Sequence, residues 1–155
     1  MFNNAPLNYK CPICLAINGI ENKDTWIKQE DIFYRDDFVV GLISSKFING
    51  NEGHPLIVPR KHYENIYDLP KEVGCRIFDI GKKTAIALKK LRNCDGVTLV
   101  QNNEPASDQH AFHYHLHIIP RFKNDNFHEE FWNAKKSNPR DRVQYAQDLR
   151  DYFKQ

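Results

Sequence analysis

The chain is expected to fold as an α+β domain, an antiparallel sheet with helices packed on one side. Three observations carry that expectation. Short segments rich in strand formers fill residues 31–59 and 97–119, one long amphipathic run at 70–92 separates them, and a second helical pattern closes the chain. No internal repeat and no low-complexity linker interrupts the 155 residues, so a single domain over 1–155 is expected.

Taken in order, 31–34 and 38–44 read as two strands of a hairpin, joined by the tight turn Arg35-Asp36-Asp37. The segment from Lys46 to Gly53 contains Asn49-Gly50-Asn51 and reads as a loop. His54 to Pro59 follows as a third short strand bounded by prolines, which favour strand ends or a sheet edge. From Pro70 to Arg92 the positions Val73, Ile77, Ile80, Thr84, Leu88 and Leu91 recur at spacings of three and four, the pattern of an amphipathic helix. Pro70 suits its first turn, and Asp68 is a candidate cap. Asp95-Gly96 turns the chain into a strand over 97–101, and a polar loop over 102–108 leads to the next. Asn138-Pro139, with Asp141, is expected to cap a last helix that carries Val143, Ala146, Leu149 and Phe153 on one face.

A composition of 41% hydrophobic and 27% charged residues is that of a soluble globular protein, and no apolar run approaches the ~20 residues that span a membrane. Met1-Phe2-Asn3-Asn4 opens without a basic segment or an apolar stretch, so no signal peptide is read and a cytoplasmic setting is expected. Net charge is +2, with lysines and arginines spread among acids, which argues against a nucleic-acid partner. Any phosphate recognition must be local.

The most informative run is His113-Tyr114-His115-Leu116-His117, continued by Ile118-Ile119-Pro120-Arg121. In an extended strand these three imidazoles share one face, ~7 Å apart, with Tyr114, Leu116 and Ile118 on the other. Three of the chain's seven histidines in one place suit proton transfer, metal ligation or nucleophilic attack. Cys75 and Cys94 read as free thiols. Cys11 and Cys14 form Cys-Pro-Ile-Cys, which in a reduced compartment is either a redox dithiol or half of a metal site. The pair follows a polar segment and precedes Asn18-Gly19, a context that favours half of a tetrahedral zinc site completed by histidine.

Together these segments resemble the histidine-triad (HIT) superfamily of nucleotide hydrolases and nucleotidyl transferases. The resemblance rests on His113-Tyr-His115-Leu-His117-Ile-Ile, the Cys pair, Gly53-His54-Pro-Leu-Ile-Val-Pro-Arg-Lys-His62 and Gln101-Asn102-Asn103, in that family's order and spacing, and covers about residues 9–125. It implies the HIT fold, an antiparallel five-stranded sheet with one long helix, here followed by a 126–155 tail with its own helix, and a homodimer. It implies an AMP-type purine nucleotide or nucleotide conjugate as partner, attacked at its α-phosphate by His115 to give a covalent nucleotidyl-histidine.

In that reading the second ring nitrogen of His115 is held as N–H by an acceptor, expected to be a backbone carbonyl, and His117 donates to the phosphate or leaving oxygen. His54, which could equally be a polar residue ending a loop, would touch the same phosphate. Asn102, Gln109 and His110 would contact it from the polar loop, although a rim position suits His110 as well. With the Cys pair present, Cys11, Cys14, His62 and His113 are expected to hold a structural zinc. Two departures stand out. Asp108 replaces the glycine many members carry before the glutamine, and the stretch Leu42 to Lys46 lacks the acid that many use for the ribose, leaving Ser44 or Ser45. The same residues would also serve a nucleotidyl transferase, a weakly catalytic nucleotide-binding protein, or a metallohydrolase whose triad holds a catalytic metal.

Overall fold

The computed structural model describes residues 2–155. Its centre is a five-stranded antiparallel sheet built from β1 (Ile32–Arg35), β2 (Val39–Ile43), β4 (Pro55–Pro59), β5 (Gly96–Val100) and β6 (Leu116–Arg121), in the order β1-β2-β4-β6-β5. Around it lie α1 (Pro12–Ile17), α2 (Lys71–Arg92), α3 (Phe127–Glu130) and α4 (Pro139–Lys154). A second sheet pairs β3 (Lys46–Phe47) with β7 (Lys135–Lys136). The HIT fold expected from the sequence is thus the fold observed.

Alternation along the strands feeds two cores. Val39, Ile43, Ile57, Leu116 and Ile118 pack with Val73, Ile77, Ile80 and Leu88 of α2 and with Ala146 and Leu149 of α4. Val40, Leu42, Leu56 and Val58 point the other way and pack with Cys11, Ile13, Ala16 and Ile17 of the N-terminal segment. Helices were expected on one side only. The second face is covered by α1, a six-residue helix too short to show a period, which the Cys-Pro-Ile-Cys segment itself starts. Cys11 caps it, its Sγ accepting from Cys14 N–H at 3.3 Å, and Pro12 occupies the first turn, where a missing N–H costs nothing.

The proline-bounded strand is central, not an edge. Ser44 N–H donates to the His54 carbonyl and Arg60 N–H to that of Phe38, so even-numbered residues of β4 bond to β2. Pro55 and Pro59 therefore turn their missing donors toward β6, where the ladder extends over Leu56 and Ile57 alone. A central strand tolerates prolines on those terms. The β6 strand also starts later than the histidine run suggests: His113 and His115 precede it in irregular backbone, and His117 lies within it.

At the start of α2, Pro70 takes the capping position without a side-chain cap and Asp68 does not cap it. At the start of α4 the expected cap forms, with Asn138 accepting from Arg140 N–H. Arg142 on α4 is fully buried, paired with Asp31 at 2.9 Å and donating to the carbonyls of Ser137 and Trp26. Among the described residues no helix is long and apolar enough to cross a membrane.

Candidate active site and metal cluster

A cleft of about 730 Å³ opens on the α1 face of the sheet. His54, His115 and His117 form part of its lining, with Leu56 from the sheet, Ser44 and Ser45 from the link between β2 and β3, and Asn102, Asp108 and His110 from the loop before β6. Pairing of Leu56 with His117 brings β4 beside β6, and His54, two residues before Leu56, shares its face. His54 Nε2 lies 3.1 Å from His117 Nδ1, with the two rings stacked 5.2 Å apart. The His115 ring is 5.0 Å from that of His117. His113 turns away from this group.

Each ring nitrogen can be assigned from its partner. His115 Nδ1 is 2.7 Å from the His113 carbonyl, which can only accept, so Nδ1 carries the proton and Nε2 keeps its lone pair. His54 Nδ1 is buried without a partner. An orphaned acceptor is tolerated more often than an orphaned N–H, which puts the His54 proton on Nε2, donated to His117 Nδ1. His117 then presents N–H on Nε2. Burial, followed by the neighbouring His115 and Arg92, pushes the His54 ring down to about 3. His117 is lowered well below the usual histidine range by burial and then by His115 and His54. Burial also lowers His115, against the raising effect of its carbonyl contact. The three rings are neutral at neutral pH.

His113 joins a different cluster. Its Nδ1 lies 3.4 Å from both Cys11 Sγ and Cys14 Sγ, and His62 Nδ1 lies 3.4 Å from Cys14 Sγ. One ligand atom from each of the four residues falls within 4.8 Å of all the others. A tetrahedral zinc with ordinary bond lengths would set sulfur and nitrogen about 3.6 Å apart, so the donor set fits that ion. His113 Nε2 donates to the Pro59 carbonyl at 2.9 Å, which leaves Nδ1 bare as a ligand requires. The contact with Cys14, and after it that with His113, holds the Cys11 thiol below its ordinary value against the effect of burial, and the contact with Cys11 pushes Cys14 up. No other cluster of this kind occurs among the described residues, and it draws one triad member away, which removes the geometric basis for a metal held by the triad itself.

The other expected residues fall into two groups. Asn102 and the exposed His110 line the cleft, as do Ser44 and Ser45. Gln109 does not. It is buried, accepting from Glu104 N–H and donating to the Glu64 carbonyl, so it fixes the loop from behind. Asp108 has φ +64, the left-handed region a glycine would adopt without strain and an aspartate tolerates. The backbone there is the one a glycine would give. Sequence reasoning missed Lys10, Lys23, Asp24 and Trp26, which line the cleft together with Phe131 and Trp132 of the aromatic stretch Phe127 to Trp132, whose place, over the site or at a dimer interface, the sequence leaves open. The four missed residues come from the N-terminal segment, and no motif marks them. Pairing of β3 with β7 is what brings the tail across, and Lys136 Nζ rests 4.6 Å over the Trp26 ring.

A five-stranded sheet with this strand order, a histidine cleft on one face and a Cys₂His₂ cluster beside it define a HIT-type protein. Comparison agrees. The HIT domain model matches residues 27–124, and the chain belongs to that family. An uncharacterised HIT-like protein of Methanocaldococcus jannaschii is 37% identical over 127 residues, 81% of this chain and 89% of its own. The adenylylsulfatase HINT3 of Arabidopsis thaliana is 29% identical over 122 residues, covering 79% of this chain and 57% of that protein. The crystal structure of a zinc-bound histidine triad family protein from Mycobacterium smegmatis superposes with a TM-score of 0.73 over 94% of each chain; at 24% identity this is a likeness of fold.

Proposed function

We propose that this protein is a nucleotide hydrolase or phosphoramidase that acts at the α-phosphate of an AMP-type conjugate through a covalent nucleotidyl-His115. One observation carries the reading: His115 has its Nδ1 proton fixed on the His113 carbonyl and its Nε2 lone pair free, in a ring that lines the cleft. A neutral nucleophile held on its backbone is what attack on a phosphorus shielded by anionic oxygens requires. The family contains hydrolases, and the relative named as an adenylylsulfatase supports an AMP conjugate.

In the first step the Nε2 lone pair of His115 forms a bond to phosphorus as the bond to the leaving group breaks, its electron pair departing on that group. His117 Nε2–H donates a hydrogen bond to the phosphate or leaving oxygen, and the His54 N–H behind it strengthens the donor. A phosphate or sulfate departs as its anion, whereas an amine takes its proton from solvent. Water then adds to phosphorus, the P–N pair returns to His115 Nε2, and the water's proton passes to solvent. Asn102 and His110 are proposed to contact the phosphate. Lys10, Lys23 and Lys46, set against Asp24 and Asp108, leave the lining with a small excess of positive charge that suits a nucleotide's phosphates. Gln109 is proposed to act by holding its loop.

Cys11, Cys14, His62 and His113 are proposed to hold a structural zinc, a closed set with no position for water. A homodimer is proposed along the free edge of β5, where Leu99, with Ile86 and Leu91 of α2, leaves apolar surface exposed; light scattering should then give twice 18.3 kDa. Incubation with adenosine phosphoramidate, dinucleoside polyphosphates and nucleotide sugars tests the activity. Cleavage of at least one of them is expected, and cleavage of none, with no enzyme-bound nucleotide, overturns the reading.

A further inference from the structure

The metal cluster and the cleft share parts. Tyr9, Lys10, Pro12 and Ile13, on either side of Cys11, line the cleft, so the segment that carries two ligands is also one of its walls. That wall is tied to the phosphate loop where the Tyr9 hydroxyl accepts from Phe112 N–H at 3.1 Å. His113 is both ligand and strut, because its carbonyl is the acceptor for His115 Nδ1. Beside the fourth ligand, His62, the Tyr63 carbonyl accepts from Tyr114 N–H at 2.6 Å and the Glu64 carbonyl from Gln109. Three segments remote in sequence, 9–14, 59–64 and 109–115, therefore converge on the cluster. One of them carries a helix of six residues, far below the length at which a helix is stable by itself.

We propose, taking the nucleotide reading of the cleft as given, that metal ligation is the clasp holding these three segments in the binding geometry, so that nucleotide affinity follows metal occupancy. The clasp has an open side. His62 is exposed and Cys14 is half-buried, so a chelator can reach the ion from solvent, whereas Cys11 and His113 are buried against the cleft wall. Occupancy would then act through backbone position, with no metal contact to substrate.

Full-length protein loaded with zinc and the same protein stripped by a chelator would be compared by AMP titration and by backbone hydrogen exchange. Stripping should weaken AMP binding about tenfold or more, as expected when a cleft is competent about a tenth of the time. Exchange should speed up over 9–17 and 109–117 while α2 stays protected, and zinc should reverse both changes. His62→Ala, which removes the exposed ligand, should shift both measurements the same way. Equal affinity and equal exchange in the two forms overturn the clasp. So does loss of protection throughout α2, which would make the metal a requirement of the whole fold. If loaded protein binds no AMP, the proposed function falls, and the exchange comparison alone still decides whether ligation orders the three segments.

Discussion

His54, His113, His115 and His117 show how one residue type takes separate roles through environment. His113 and His115 are two positions apart, yet one ring faces two sulfurs and the other lines the cleft, because irregular backbone before β6 lets them diverge. The sequence makes the histidines conspicuous, and the expectation that His113 sits with the Cys pair comes from the family resemblance; the structure brings those side chains together. The sequence could not show that His54 and His117 are hydrogen-bonded, since that depends on β4 pairing with β6. Burial gives these rings a pH signature. The His54 ring is held at about 3 against 6.5 in an unfolded chain, so the unfolded state takes up protons that the folded state refuses. Stability should be level above about pH 6.5 and decline as the pH falls below it toward about 3, with His115 and His117, lowered in the same sense, steepening the fall. Urea midpoints measured from pH 7 to pH 5 should show this decline, and His54→Gln should make it shallower. An unchanged slope in the variant would contradict the assignment.

At the scale of elements, legibility follows length. The period of α2, the Asn138-Pro139 start of α4 and most strand positions could be read, because each rests on repeated or local chemistry. By contrast α1, α3 and the β3–β7 pair are six, four and two residues long, and tertiary contact alone decides them. Lys10 and Trp26 reach the cleft beside those short pieces, which is why that part of its mouth could not be read while its centre could. Arg142 is a further case. It lies outside the apolar set Val143, Ala146, Leu149 and Phe153 read from the sequence, yet it is buried against Asp31, whose other oxygen accepts from Lys28 N–H. Replacing one member of such a pair strands the other charge, so Arg142→Ala should cost about 3–5 kcal/mol in urea unfolding. A loss below about 1 kcal/mol would mean that α4 is held by Ala146, Leu149 and Phe153 and that the ion pair adds little.

Across the whole molecule, the sheet divides its labour between faces. One face carries the core packed by α2 and α4, and the other carries the metal cluster, the cleft and the tail residues Phe131 and Trp132 that line it. Such a plan asks for one zinc per chain in folded protein purified without added metal, read by atomic emission; a content near zero in protein with full helical signal would refute the Cys₂His₂ assignment. His115 is proposed to become covalently nucleotidylated. The most direct measurement of this is to quench the protein during reaction with adenosine phosphoramidate and map any adenylyl adduct by mass spectrometry. An adduct on the peptide carrying His115, absent from His115→Ala even though that variant still binds AMP, is the result the geometry predicts. An adduct on another residue, or turnover undiminished in His115→Ala, would contradict it.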